Sequence, residues 1–104
     1  MRKEEFRTWL SLTIKKKPAS DCLSRCNTVE YALKVNLDDE YKRDGGKAVL
    51  EKLSYSRRDA SAGIPAPAEF HFKEGANVVQ RITDLRSAVN RYFTFCREEE
   101  HGII

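Results

Sequence analysis

No apolar run in this chain approaches the ~20 residues that a membrane-crossing helix needs, so a water-soluble domain is expected. Cysteine is scarce and odd in number, three in 104 residues. The opening Met1-Arg2-Lys3-Glu4-Glu5 shows no apolar leader, and both features argue against a disulfide-stapled secreted domain. They point to free thiols in a reducing, cytoplasmic compartment. Gly45-Gly46 matches no phosphate-cradling loop, the C-x-x-C knuckle of structural zinc sites is missing, and there is neither an internal repeat nor a low-complexity tract. An excess of one charge sign is also small: the net is +3, which permits an anionic partner without requiring one.

What is present is charge and helical spacing. Charged residues make up 34% and hydrophobic ones 40%, the balance of a single soluble domain with a modest core. Its ordered part is expected over about residues 4–97, followed by a short polar tail. Residues 77–97 organise the chain. Val78, Ile82, Leu85, Val89, Tyr92 and Cys96 recur in alternating steps of four and three, which lines one face of an α-helix and fits no strand. Phe93 and Phe95 flank that stripe, giving an arc wide enough for more than one partner element. Asn77 and Gln80 have the spacing of a capping box, and Gly102 marks the end.

Upstream, Phe6, Trp9, Leu10 and Thr13 fall at helical spacing over residues 2–14, with Trp9 as core anchor. Pro18 is expected to force Lys17 out of the helical region and to open a second helix over residues 18–34. Leu23, Cys26, Val29 and Leu33 form its inner stripe, and Asn36 closes it. Asp38, Asp39 and Glu40 start a short helix, where carboxylates complement the helix dipole. Val49, Leu50 and Leu53 point inward from the next piece, and Ser56 with Asp59 caps a further turn. Residues 61–76 break the pattern with two prolines and two glycines, and read as an ordered extended loop. The expectation is an all-α bundle of about four to five helices with that loop before the last.

Candidate chemistry is sparse. Cys22 and Cys26 share a helix face and could meet Cys96, His71 or His101 at a metal, but both lie on or beside the apolar stripe and read as small buried hydrophobes. His71 has no nucleophile or carboxylate in a recognisable arrangement, so neither catalysis nor a cofactor is expected. The basic set is the constellation with a job. Residues 1–25 carry seven Lys/Arg against three Asp/Glu. Lys15, Lys16, Lys17 and Arg25 surround the start of the second helix, whose amides favour an anion, and Ser20 adds a hydroxyl. Gln80, Arg81 and Arg86 project from the N-terminal half of the last helix, where side chains commonly enter a groove.

The order of these signals, Phe6-x-x-Trp9-Leu10, then PASDCLSRCNTVEYAL, AVLEKL and QRITDLRSAVNRYFTF, resembles the SAM-like core-binding domain of phage integrases and other tyrosine recombinases. It is also similar to small helical modules of restriction and defence proteins. The likeness spans about residues 4–97 and implies a SAM-like bundle of phage or mobile-element type that clamps double-stranded DNA. By position it implies contacts from Lys17 and Ser20 on the second helix and from Gln80 and Arg81 on the last. Strand exchange is not implied. The alternative expectation is a protein-interaction module or inhibitor that docks on a larger nucleic-acid-processing machine, using Ile64, Phe70 and Phe72 as an apolar patch.

Overall fold

The four-and-three spacing of the final stretch is realised as one long helix on which most of the remaining chain packs. The computed structural model of the protein describes residues 1–72 and 77–102. These form α1 (Lys3–Thr13), α2 (Lys16–Leu33), α3 (Leu37–Asp44), α4 (Lys47–Lys52), α5 (Arg57–Ser61) and α6 (Val78–Glu100), with no strand among the described residues. The expected helix count is exceeded because α4 and α5, at six and five residues, are each less than two turns. No described helix is long and apolar enough to cross a membrane. The part of the expected loop that falls on residues 73–76 lies outside the described residues.

Local chemistry sets most helix ends. The Asn77 side chain accepts from the Gln80 amide at 3.1 Å, while the Gln80 side chain turns forward to Asp84 at 3.0 Å, so only half of a capping box forms. Ser56 and Asp59 complete theirs, with bonds of 3.2 and 2.9 Å. Two expectations are corrected. α2 begins at Lys16, before Pro18, because a proline in the first turn gives up an amide that has no intrahelical acceptor. Asn36 does not close α2, which ends at Lys34 in the left-handed region (φ 56°). It caps α3 instead, accepting from the Asp38 and Asp39 amides at 2.9 and 3.4 Å.

The α6 arc buries Ile82, Leu85, Ala88, Val89, Tyr92, Phe93, Phe95 and Cys96. α1 lays Phe6 and Trp9 against it: Phe6 meets Tyr92 edge-on at 5.0 Å and Phe95 at 5.5 Å, and Trp9 meets Phe95 at 5.9 Å. Such pairs contribute ~0.5–1.5 kcal/mol each beyond area burial. On α2 the buried edge is Cys22, Cys26 and Val29: Cys26 and Val29 are as expected, Cys22 takes the place of Leu23, and Leu23 and Leu33 are left half-buried. The reason is size. Cys22 and Cys26 are small enough for α2 to press against the Ala88 carbonyl, to which their thiols donate at 3.7 and 3.4 Å. Cys26 is held protonated by its bond to Cys22 and by burial, both of which raise its pKa.

The turn between α3 and α4 depends on glycine twice. Gly45 and Gly46 have φ of +71° and +86°, and the α-carbon of Gly46 faces the Phe93 ring so closely that a Cβ would overlap its side-chain carbons, whereas Gly45 has open space. Gly45→Ala should therefore cost only the left-handed penalty of ~1–2 kcal/mol. Gly46→Ala should cost that plus ~1–3 kcal/mol for displacing the ring. Chemical denaturation of the two variants isolates the Phe93 contact, and equal losses would show that the ring yields freely.

Candidate nucleic-acid interface

Polar side chains concentrate in two regions, and the first is closed on itself. Asp38 is the buried charged residue among the described residues, 9% exposed. Its Oδ1 accepts from Arg2 Nε at 2.8 Å and from the Tyr92 hydroxyl at 3.0 Å, and Lys42 Nζ lies 3.2 Å from Oδ2. The Arg2 guanidinium also pairs with Glu5 and Glu99 and lies 5.0 Å above the Phe95 ring. Burial hinders ionisation of Asp38, but hydrogen bonds from Tyr92, Lys42 and Arg2 outweigh it and hold the carboxyl below its ordinary range. Burial likewise opposes the Arg2 charge, and the bond to Asp38 more than restores it. Nearby, the Tyr41 hydroxyl donates to Glu100 at 2.6 Å, which pushes its pKa up to about 12. These groups border a hollow of 580 Å³. The cluster ties α1, α3 and α6 together; both of its cations are paired, and with Asp38, Glu5, Glu99 and Glu100 against Arg2 and Lys42 it is acidic.

The second region holds the cations named from the sequence, which fall into three groups. Lys15 precedes α2 with no capping bond, and Lys16 and Lys17 occupy its first turn, Lys17 lying 3.6 Å from Asp21. Lys16 and Ser20 border a 570 Å³ hollow between α1 and α2 whose floor is Ile14, Ala19 and Leu23. Arg86 borders a different one of 350 Å³, facing Arg57. Arg25 of α2 and Arg81 of α6 come together, lining a 290 Å³ groove with Thr28, His71 and Phe72. Asp84 also borders this groove, where the Gln80 amide engages it. All of Lys15, Lys16, Arg25, Arg81 and Arg86 lack a carboxylate partner among the described residues.

The three apolar residues of the alternative patch do not share one fate. Phe70 is in the core at 8% exposure, its ring stacked on that of half-buried Phe72 at 6.0 Å, because the chain turns inward after Pro67. Only Ile64 is exposed, with its carbonyl held by the Tyr55 hydroxyl at 2.6 Å. Among the described residues no group of His, Cys, Asp or Glu is placed to hold a metal ion, and all three cysteines are buried and free.

Sequence reasoning gave no site role to Tyr31 and Lys34. With Thr28 they border a 570 Å³ hollow that adjoins the Arg25–Arg81 groove at Thr28, Phe70 and His71. Tyr31 gave no signal, because a tyrosine in a helix is ordinarily assigned to the core.

The Asp38 tie has a consequence for acid stability. Folding lowers this carboxyl below its ordinary 3.8, so its stabilisation is complete above that value and is lost as pH falls through the folded-state pKa. Asp38→Asn should cost ~2–3 kcal/mol at neutral pH, less than the ~3–5 kcal/mol of a fully buried pair because Arg2 keeps a path to water. The variant should also lose less stability than the native protein on acidification, which denaturant titrations at a series of pH values measure. Parallel acid limbs for the two proteins would remove Asp38 as the titrating group.

No protein-family model, no curated protein and no solved structure matches this chain.

Proposed function

We propose that the protein is a small, non-enzymatic nucleic-acid-binding module that grips the phosphate backbone of double-stranded DNA with its unpaired cations. In this reading the bundle is SAM-like, of about four to five principal helices with α4 and α5 as connecting turns, as in phage or mobile-element proteins that clamp DNA. The observation that carries the reading is the meeting of Arg25 and Arg81, from helices far apart in sequence, in one groove with no carboxylate bound to either. A phosphate entering that groove is drawn to guanidinium geometry. Lys15, Lys16 and Arg86 then add charge at a distance, steering and strengthening the encounter without reading sequence.

A second reading is favoured by a different observation. The α1–α2 hollow has an apolar floor of Ile14, Ala19 and Leu23. A protein-interaction module or inhibitor that docks on a nucleic-acid-processing machine would use that surface, with Lys16 and Arg7 at its rim.

Fluorescence anisotropy with a labelled DNA duplex tests the first reading. Binding should weaken steeply with salt, and the Arg25→Ala, Arg81→Ala double variant should reduce the log–log salt slope by about two, at ~0.9 per phosphate contact. No binding at low salt sinks it. Leu23→Ala should leave DNA binding intact in the first reading and weaken partner capture in the second.

A further inference from the structure

We propose that the nucleic acid accepted by the Arg25–Arg81 groove is single-stranded, with unstacked bases lying on Tyr31 and Phe72 while the backbone follows the cations. The proposal rests on the backbone grip of the reading above and departs from it in one respect, putting a single strand where that reading has a duplex. The groove and the adjoining hollow share Thr28, Phe70 and His71, so together they form one strip from Arg81 to Lys34. Arg25, Thr28, Tyr31 and the α2 C-cap Lys34 border that strip in turn, winding round the helix as they rise ~13 Å along its axis at 1.5 Å per residue, the scale of a short site holding a few nucleotides.

Cations and aromatic rings alternate on it. Tyr31 is 89% exposed and stacks on no other ring among the described residues. Phe72 is already parallel to buried Phe70, at an interplanar angle of 22°, so its orientation is set before any ligand arrives. An exposed tyrosine alone means little. What gives it a use is that, with Thr28 and Lys34, it borders the hollow that adjoins the Arg25–Arg81 groove. The carboxylates bordering the strip are occupied elsewhere: Glu30 accepts from the Met1 ammonium and the Leu37 amide at 2.8 and 2.9 Å, Glu69 pairs with Lys52 at 2.6 Å, and Asp84 accepts from Gln80. Arg25, Lys34 and Arg81 therefore set the sign of the local field.

A duplex keeps its bases stacked inside and shows this surface mainly phosphates, leaving Tyr31 and Phe72 nothing to stack against. A single strand supplies both partners at once, charge for the arginines and flat π-faces for the rings. Arginine adds cation–π contact with the same bases.

The test compares labelled oligothymidine and oligouridine of about ten nucleotides with a duplex of equal length, in anisotropy titrations at several salt concentrations. The single strands should bind more tightly than the duplex, and the DNA and RNA arms identify which sugar is preferred. Tyr31→Ala should weaken single-strand binding roughly five- to hundredfold with little change in salt slope, as loss of one stacked base does. Tyr31→Phe should restore it. Because Tyr31 is on the surface, neither variant should alter folding, and thermal melting checks this. Duplex binding at least as tight as single-strand binding, or a Tyr31→Ala variant equal to the native protein, overturns the proposal while leaving backbone binding in place. Failure of every oligonucleotide at low salt overturns the underlying reading as well.

Discussion

Asp38 sits where α1, α3 and α6 meet, and a carboxylate removed from water there must be fully partnered. Arg2 reaches it from the start of α1, Tyr92 from the middle of α6 and Lys42 from its own helix. None of the three would suffice alone, since one neutral donor and two cations share the cost of desolvating the anion. Their convergence fixes what surrounds them. Arg2 lies over Phe95, which in turn receives Phe6 and Trp9, so the position of α1 on α6 is set by charge and by aromatic packing at once. On the far side, α3 leads into Gly46, whose missing side chain lets the chain pass against Phe93. The polar tie and the glycine turn thus hold opposite edges of the same stretch of α6.

With those edges held, α2 has one side committed and one side available. Its inner side carries cysteines where larger apolar residues would keep the helix away from Ala88. Close approach of this kind leaves little room for alternative packing, because interiors are as dense as organic crystals. The exposed side chains of Arg25 and Thr28 are therefore carried on a rigid support, and Arg81 of α6 borders the same groove. Side chains carried on helices rather than on loops are held at more nearly fixed spacing.

Much of this architecture was legible in the sequence because the deciding interactions are local or periodic. The α6 stripe emerges from spacing alone, and the Ser56–Asp59 box forms between residues three apart. Asp38 marks where such reading fails. It was placed correctly in the first turn of a helix, and a first-turn carboxylate already has a sufficient local explanation. Its partners Arg2 and Tyr92 lie 36 and 54 positions away, and nothing in the neighbourhood of Asp38 announces them. Phe70 fails for the related reason that alternation assigns a side of the chain but not what lies beneath it. The cations were all named, yet their grouping was taken from proximity along the chain. Lys15, Lys16 and Lys17 were joined to Arg25, whereas packing sets Arg25 beside Arg81 and leaves Lys16 on the α1–α2 side.

The grouping matters more than the total. Nineteen Lys/Arg and sixteen Asp/Glu nearly cancel, and from a distance the protein is almost neutral. Within the ~8 Å over which charge is felt at physiological salt, however, a surface is governed by whichever ions remain unmatched there. Asp38 and Glu99 are matched by Arg2, and Glu69 by Lys52. Asp84 is engaged by the neutral amide of Gln80 and keeps its charge, so in that groove it stands against Arg25 and Arg81 and one positive charge remains in excess. Which ions meet in this way is a property of packing, and a net charge of +3 gives no hint of it.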